Sequence, residues 1–251
     1  MSGHSKWASI KHKKGKVDAQ RGKLFGRLIK EITVAARNGG DPEANPRLRT
    51  AVGIAKAANM PNDNIERAIK RGTGDLPGVS YEEATYEGYA QAGVAFMVEV
   101  LTDNKNRSNA ELRKILSKLG GHIGSPGCVA WQFETKGFIT VSADDATEDK
   151  LMEICLEAGA EDIRSEDGIF AITTGPDEFE AVTEAVTSAG ITTVSVELTK
   201  LPKETIPVGE SDAAKVIRLI EALEDWDDAQ HVYSNFDIPD DVLEKVSAED
   251  E

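Results

Sequence analysis

Near the start of the chain, apolar residues recur at helical spacing in three successive stretches. From about Asp18 to Arg37, Phe25, Leu28, Ile29, Ile32 and Ala36 return every three or four residues, which predicts one helix with a single apolar face. Lys23, Arg27, Lys30 and Arg37 are offset by four, three and seven positions, so they share a different face of that helix. Asn38-Gly39-Gly40 tolerates the left-handed conformation that ends it. A second helix is expected from Asn45 as cap and Pro46 as first residue, burying Leu48, Val52 and Ala55. A third follows Pro61, with Asp63 and Glu66 spaced as a capping box, Ile65 and Ile69 facing inward, and Gly72-Thr73-Gly74 as its stop. Ahead of all three, Met1 to Val17 is rich in Lys, Ser and Gly without apolar periodicity, which predicts an extended arm.

Beyond a Gly/Pro linker at Asp75–Ser80, strand and helix patterns alternate. Glu83 to Leu101 reads as two strands turning at Ala90–Gly93, followed by a helix from Asn106 to Leu119 with Asn106 as candidate N-cap and a strand at Val129–Glu134. A block with its own rhythm comes next: strand Gly137–Val141, helix Thr147–Glu157, strands near Asp162–Ser165 and Gly168–Thr173, helix Asp177–Ala189 and strand Ile191–Leu198. That βαββαβ order is the split βαβ of ferredoxin-like sandwiches. After Pro202 and Pro207, a helix at Ser211–Leu223 and a strand at Gln230–Phe236 lack local partners. The economical expectation pairs them with the Glu83–Glu134 segment. The fold expected is therefore multidomain, α and α+β. It has a basic arm plus three-helix domain at 1–76, a discontinuous α+β domain from 81–134 and 202–241, and a ferredoxin-like domain inserted at 135–201.

Charge sharpens this division. The net charge of −15 argues against a nucleic-acid binder when taken alone. From Met1 to Gly74, however, 16 Lys/Arg face 6 Asp/Glu, a surplus of ten, which leaves 13 against 38 for the remainder, a deficit of 25. Such asymmetry within one chain points to a polyanion-binding segment. The chain opens on lysines with no apolar run behind them, and the stretch Gly93–Leu101 is too short to span a bilayer, so no membrane partner is expected. Only Cys128 and Cys155 occur, which is neither a disulfide framework nor a metal motif and fits a reducing cytoplasm.

Candidate chemistry follows the charge. Lys6, Lys11, Lys13, Lys14, Lys16, Arg21, Lys23, Arg27 and Lys30 crowd one span with a single acid before Lys30, Asp18. Cations of this density bind phosphate by releasing its condensed counterions, with no base readout needed. The competing reading is a solvated tail. Trp7, set among lysines, could stack on a base or fold back as an apolar anchor. His4 and His12 lack a Cys or second carboxylate at ligand spacing, so they are read as backbone or phosphate donors, and no metal or cofactor is expected. Asn62, Asn64, Arg67, Lys70 and Arg71 form a second basic, amide-bearing edge near a helix N-terminus, where free N–H groups favour phosphate. Capping and solvent exposure are the alternatives there. Asp103-Asn104-Lys105-Asn106-Arg107 could serve similarly. Gly120–Gly127 invites a phosphate-loop reading but lacks the Gly-Lys-Ser/Thr ending and opens no helix, so turn formation is expected. No Ser/His/Asp set or HExxH occurs, and carboxylates such as Glu224-Asp225 and Asp227-Asp228 read as solvated loop charge. No enzyme activity is expected, although a hydrolase built on the Gly-rich loop stands as a remote alternative.

Several long motifs carry a family resemblance. Gly3-His4-Ser5-Lys6-Trp7-Ala8, Lys11-His12-Lys13-Lys14, Asp18-Ala19-Gln20-Arg21-Gly22-Lys23 and Met60-Pro61-Asn62-Asp63-Asn64-Ile65-Glu66-Arg67-Ala68 resemble the YebC family. So do Tyr86-Glu87-Gly88-Tyr89, Leu101-Thr102-Asp103-Asn104-Lys105-Asn106-Arg107, Gly120-Gly121, Glu157-Ala158-Gly159-Ala160-Glu161-Asp162 and Val232-Tyr233-Ser234-Asn235-Phe236. The resemblance spans nearly the whole chain in order. It implies a three-domain cytoplasmic protein that regulates gene expression without being an enzyme. Its bacterial branch is described as DNA-binding transcriptional regulators, which sets the first expectation. Mitochondrial relatives act as translational activators, and some bacterial members associate with ribosomes and relieve stalling. The alternative is therefore a translation factor bound to rRNA or tRNA on the ribosome. In either case the acidic C-terminal domains would face away from the polyanion and could take a protein partner.

Overall fold

The computed structural model describes residues 17–166, 168–239 and 242–243, the side chains of 17–21 and 166 excepted. In chain order the helices are α1 (Val17–Ala35), α2 (Pro46–Ala57), α3 (Asn62–Thr73), α4 (Lys105–Leu119), α5 (Glu148–Glu157), α6 (Phe179–Ser188) and α7 (Glu210–Glu224). The strands are β1 (Glu82–Tyr89), β2 (Ala95–Thr102), β3 (His122–Ile123), β4 (Phe133–Ser142), β5 (Ala160–Glu166), β6 (Ile169–Thr174), β7 (Thr193–Pro202), β8 (Ile206–Pro207), β9 (Ala229–Ser234) and β10 (Phe236–Asp237). The protein is thus mixed α and β, and its larger sheets are built on antiparallel pairs. The described chain divides into two compact units, 17–128 with 211–232, and 129–210 with 233–239 and 242–243. The predicted arm lies outside the described residues.

In the first unit, α1, α2 and α3 bury a core of their own. Leu28, Ile32, Ala35, Leu48, Val52, Ala55, Ile65 and Ala68 belong to one cluster, which the half-buried Phe25, Ile29 and Ile69 pack against. Among the described residues, every member of that cluster lies between Phe25 and Ile69. Asn45 ties the bundle together. Its Oδ1 accepts from Leu48 N (3.1 Å), while its Nδ2 donates to the carbonyls of Ala35 (2.8 Å) and Gly39 (2.9 Å). Gly72 permits α3 to cross α1 closely, because a Cβ there would sit 2.3 Å from the Thr33 carbonyl oxygen and 2.6 Å from the Ala36 Cβ.

The same unit contains a four-stranded sheet in the order β3-β1-β2-β9. β1 and β2 pair antiparallel from Tyr89↔Ala95 to Glu82↔Thr102 around a turn in which Ala92 and Gly93 take positive φ. β2 is buried along almost its whole length, and α4 and α7 contribute Leu112, Leu116, Val216, Ile217, Leu219, Ile220 and Leu223 to the interior. The second unit runs β4-α5-β5-β6-α6-β7, and its sheet has the order β5-β6-β4-β7. Ile139, Val141, Phe170 and Ile172 from the strands meet Leu151, Cys155, Val182 and Val186 from α5 and α6 in its core. A short parallel pair, β8 with β10, joins Ile206 to Phe236.

Four local expectations are corrected. Val129–Glu134 is no separate strand: Ala130–Gln132 form a 3-10 turn, and Phe133 already begins the long β4. The third helix starts at Asn62 with Pro61 as N-cap, and no side chain caps it, so Asp63 lies inside the first turn rather than at the head of a capping box. α4 is capped by Asn104, whose Oδ1 accepts from the amides of Asn106 and Arg107 (both 3.1 Å), and Asn106 is already helical. The last strand breaks at Asn235 into β9, beside β2, and β10, beside β8.

Candidate nucleic-acid interface

The cationic face of α1 is engaged by the chain itself. Lys23 Nζ lies 2.9 Å from Asp225 Oδ1 and 3.3 Å from the Asp225 carbonyl. Arg27 donates to the carbonyl oxygen of Glu224. Lys30 Nζ contacts the Asp227 carbonyl (2.9 Å) and Asp228 Oδ1 (2.8 Å). Three cations at i, i+4 and i+7 thus grip the C-terminal end of α7 and the loop after it. Unsatisfied carbonyls there carry the negative end of the helix dipole, which favours cations. Further along, Arg37 donates to Ser80 Oγ (3.0 Å).

The exposure of this grip is graded along α1, from Lys23 to Lys30. At one end Lys23 and Asp225 keep 42% and 74% of their side-chain surface exposed, whereas Lys30 and Asp228 at the other keep 16% and 5%. Asp228 also accepts from Ser108 Oγ (2.7 Å) and from Arg107 (3.3 Å). Burial acts to raise the Asp228 carboxyl, but hydrogen bonds from Lys30, Ser108 and Arg107 outweigh it and leave the group below the usual carboxylate range. Burial pulls the Arg27 guanidinium below its ordinary value, against the opposing pull of Glu224, Asp225 and Asp227. Its Nε is buried without a hydrogen-bond partner among the described residues.

Asp228 and Glu224 are therefore structural groups rather than the solvated charge expected of them. Asp103–Arg107 is likewise consumed locally. Asn104 caps α4, Lys105 pairs with Glu82 (2.7 Å), and Arg107 pairs with Asp103 (2.6 Å) as well as Asp228. Sequence reasoning missed Ser108 and Asp228, the centre of this network. The available signal was a run of four acids, Glu224, Asp225, Asp227 and Asp228, matching in number the four cations of the first helix.

The remaining candidates fall into two groups. Lys6, Trp7, Lys11, His12, Lys13, Lys14 and Lys16 lie outside the described residues, as does the side chain of Arg21. On α3, Asn62, Arg67, Lys70 and Arg71 are exposed and Asn64 is half-buried. Arg67 Nε donates to the Asp63 carbonyl (3.2 Å) of its own helix. The amides of Asn64 and Ile65 already donate to the Pro61 carbonyl, so they are not open to an anion. Arg67, Lys70 and Arg71 sit three and four residues apart and share the outer face, opposite Ile65 and Ala68. α2 adds the exposed Arg49 and Lys56, seven apart on one stripe. Among the described residues, Arg49, Lys56, Lys70 and Arg71 pair with no carboxylate. Arg47 differs, held by Glu31 (2.7 Å) and Glu83 (2.6 Å). Among the described residues, Lys23, Arg27 and Lys30 of α1 are thus engaged within the chain, whereas Arg49 and Lys56 on α2 and Lys70 and Arg71 on α3 are exposed.

The Gly-rich loop directs its amides inward. Gly124 N donates to the Glu87 carbonyl (2.8 Å) and Gly127 N to Glu87 Oε1 (2.6 Å). Gly124 also lies where a Cβ would come 2.3 Å from Cys128 Sγ, so its lack of a side chain serves packing. Among the described residues, no group of three or more His, Cys, Asp or Glu is placed to hold a metal ion, and no helix is long and apolar enough to cross a membrane.

These features define a class, a cationic three-helix bundle within a mixed α and β chain that is acidic overall. The chain belongs to the TACO1/YebC family: residues 5–75 match the model of the TACO1/YebC protein N-terminal domain, and residues 81–236 match that of the TACO1/YebC second and third domain. It is 58% identical to a "probable transcriptional regulatory protein" of Desulfatibacillum aliphaticivorans, over 97% of this chain and 99% of that one. A protein of the same description from Dictyoglomus turgidum is 54% identical, over 98% and 100%. Among solved structures, a conserved hypothetical protein of Aquifex aeolicus matches with a TM-score of 0.81 and 49% identity, covering 91% of this chain and 95% of that chain.

Proposed function

We propose that this chain is a non-enzymatic, nucleic-acid-binding regulator of gene expression. In this reading it is a DNA-binding transcriptional regulator that uses the N-terminal arm and the open side of the helical bundle. The observation that carries the proposal is the split use of positive charge. Lys23, Arg27 and Lys30 of α1 are bound within the chain, while Arg49, Lys56, Arg67, Lys70 and Arg71 stay exposed on α2 and α3. Exposed Lys and Arg without internal partners are what a phosphate backbone can use. Lys6, Lys11, Lys13, Lys14, Lys16 and Arg21 would extend that face through the arm, with Trp7 and His12 beside them. The description of the relatives as transcriptional regulators supports the choice of DNA.

The domain scheme belongs to the same proposal. A basic module at 1–76 binds, and a discontinuous α+β domain at 81–134 and 202–241 carries it. The block at 135–201 is a ferredoxin-like insertion, a reading supported by the β-α-β-β-α-β order and the β5-β6-β4-β7 sheet. Acidic surfaces of the latter two would turn from nucleic acid and remain available to protein.

Charge reversal tests the reading. Lys11, Lys13 and Lys14 to Glu on the arm, and separately Lys70→Glu with Arg71→Glu on α3, should each abolish or strongly weaken retardation of a DNA duplex while the melting profile is kept. Unchanged retardation in both would overturn it. Crosslinking in cells followed by sequencing of DNA and RNA then separates the two targets. Promoter peaks support the transcriptional reading, and enrichment of rRNA without them replaces it with translation.

A further inference from the structure

The acidic loop after α7 makes contacts of the same kind that a nucleic-acid backbone would make. Within five residues, Glu224 to Asp228, it presents two carboxylates and three carbonyl oxygens to the same face of α1: Asp225 to Lys23, the Glu224 carbonyl to Arg27, and Asp227 and Asp228 to Lys30. A phosphate backbone offers a helix the same thing, a row of anionic oxygens met by cations one turn apart. The two ends of the row differ. Lys30 and Asp228 are almost enclosed and are braced by Ser108 and Arg107. Lys23 and Asp225 are exposed; the Asp225 amide donates to the Glu221 carbonyl, and the neighbouring Trp226 is buried with its Nε1 donating to Glu111 (2.9 Å), so the backbone is held while the Asp225 carboxylate stays at the surface. Between them, Arg27 keeps a buried Nε with no partner among the described residues, a donor that the closed arrangement leaves unused. Among the described residues, the apolar cluster of α1, α2 and α3 is made only of their own residues.

We propose that the Glu224–Asp228 loop is an internal competitor for nucleic acid, an electrostatic latch that releases Lys23 and Arg27 from its exposed end when phosphate displaces Asp225, while Lys30 and Asp228 remain closed as the pivot. The inference rests on the nucleic-acid reading above and adds its regulation. The bundle binds first through its open α2–α3 side. Its α1 cations join only where the ligand carries enough negative charge to replace the loop, so weakly charged or short strands are rejected.

The test uses the full-length chain and a fluorescein-labelled 20-base-pair duplex and RNA stem-loop, read by anisotropy across a salt series. Asp225→Asn with Asp227→Asn neutralises the free end of the latch. Asp144→Asn with Asp145→Asn removes the same charge from an exposed turn elsewhere and serves as control. The latch variant is expected to bind about three- to fivefold more tightly than the wild type, with a salt dependence steeper by about one phosphate contact, and the control to stay within twofold. Equal effects of the two variants, or no gain in the latch variant, would overturn the latch. If the wild type binds, and Lys70→Glu with Arg71→Glu weakens it while the latch variant matches the control, the functional reading stands and the latch falls. If neither wild type nor latch variant binds either probe, both fall.

Discussion

Replacing Asp228 by Ala is the sharpest perturbation of the first unit. The carboxylate accepts from Lys30 at 2.8 Å, Ser108 at 2.7 Å and Arg107 at 3.3 Å, with 5% of its side chain exposed. These three bonds differ in weight. Arg107 is half exposed and retains Asp103 at 2.6 Å, so its loss counts for little. Ser108 keeps Thr102 Oγ1 at 2.7 Å and the Asn104 carbonyl at 3.1 Å, which offsets most of its loss. Lys30 keeps the Asp227 carbonyl at 2.9 Å and the Tyr81 ring at 5.8 Å, and is left as a largely buried ammonium without a carboxylate partner among the described residues. Breaking a buried pair in this way costs about 3–5 kcal/mol, and the surviving carbonyl contact places the expectation near the lower end, about 3 kcal/mol. For a unit of this size that is a fall in Tm of roughly 10 °C. Scanning calorimetry should show the transition of the unit containing 17–128 and 211–232 moving, with the other unit unmoved. Asp225→Ala, which breaks an exposed pair, should shift it by less than about 1 kcal/mol. A loss below 1 kcal/mol for Asp228→Ala, or equal losses for the two variants, would refute the assignment of Asp228 as the anchoring group.

Other expectations follow from single contacts. Gly72→Ala forces a methyl against the Thr33 carbonyl and Ala36 at the α1–α3 crossing, and should destabilise the same unit by about 1–3 kcal/mol in urea unfolding; Gly53→Ala, which meets nothing within 4 Å, should not. Because the folded Asp228 carboxyl lies below its unfolded value, its stabilisation is complete above about pH 4 and is lost as pH falls through the folded value. The stability difference between wild type and Asp228→Asn should accordingly shrink on acidification below about pH 4, and a constant difference would refute the shift. Burial pushes both thiols up, and Cys155 is fully enclosed, so Cys155 should resist iodoacetamide in the folded chain at neutral pH and react only on unfolding.

The local parts of the fold were legible because their causes are local. The stripe Phe25, Leu28, Ile29 and Ile32 and the Asn45-Pro46 start are read within a few residues, and they reappear as the core and cap of the bundle. Cap choice at α4 was missed because Asn104 and Asn106 are chemically equal candidates, and only the path of the chain decides which one reaches the free amides. The apolar look of Val129–Glu134 misled because a buried Val129 and a buried Phe133 flank a 3-10 turn instead of continuing a strand. The hardest part was the partner of α1. Lys23, Arg27 and Lys30 form a basic face by spacing alone, but whether that face meets phosphate or protein depends on residues about two hundred positions away. Periodicity carries no information about such contacts. Lys70 and Arg71 are exposed, an outcome that the phosphate-contact reading and the solvent-exposure alternative share.

The central claim is that the cationic N-terminal part of an acidic protein grips nucleic-acid phosphate. Its most direct measurement is the dissociation constant of the full-length chain for a DNA duplex as a function of salt. Six phosphate contacts predict micromolar binding at low salt and a log–log slope of about −5. A slope near zero, or no binding at low salt to either duplex or structured RNA, would contradict the account.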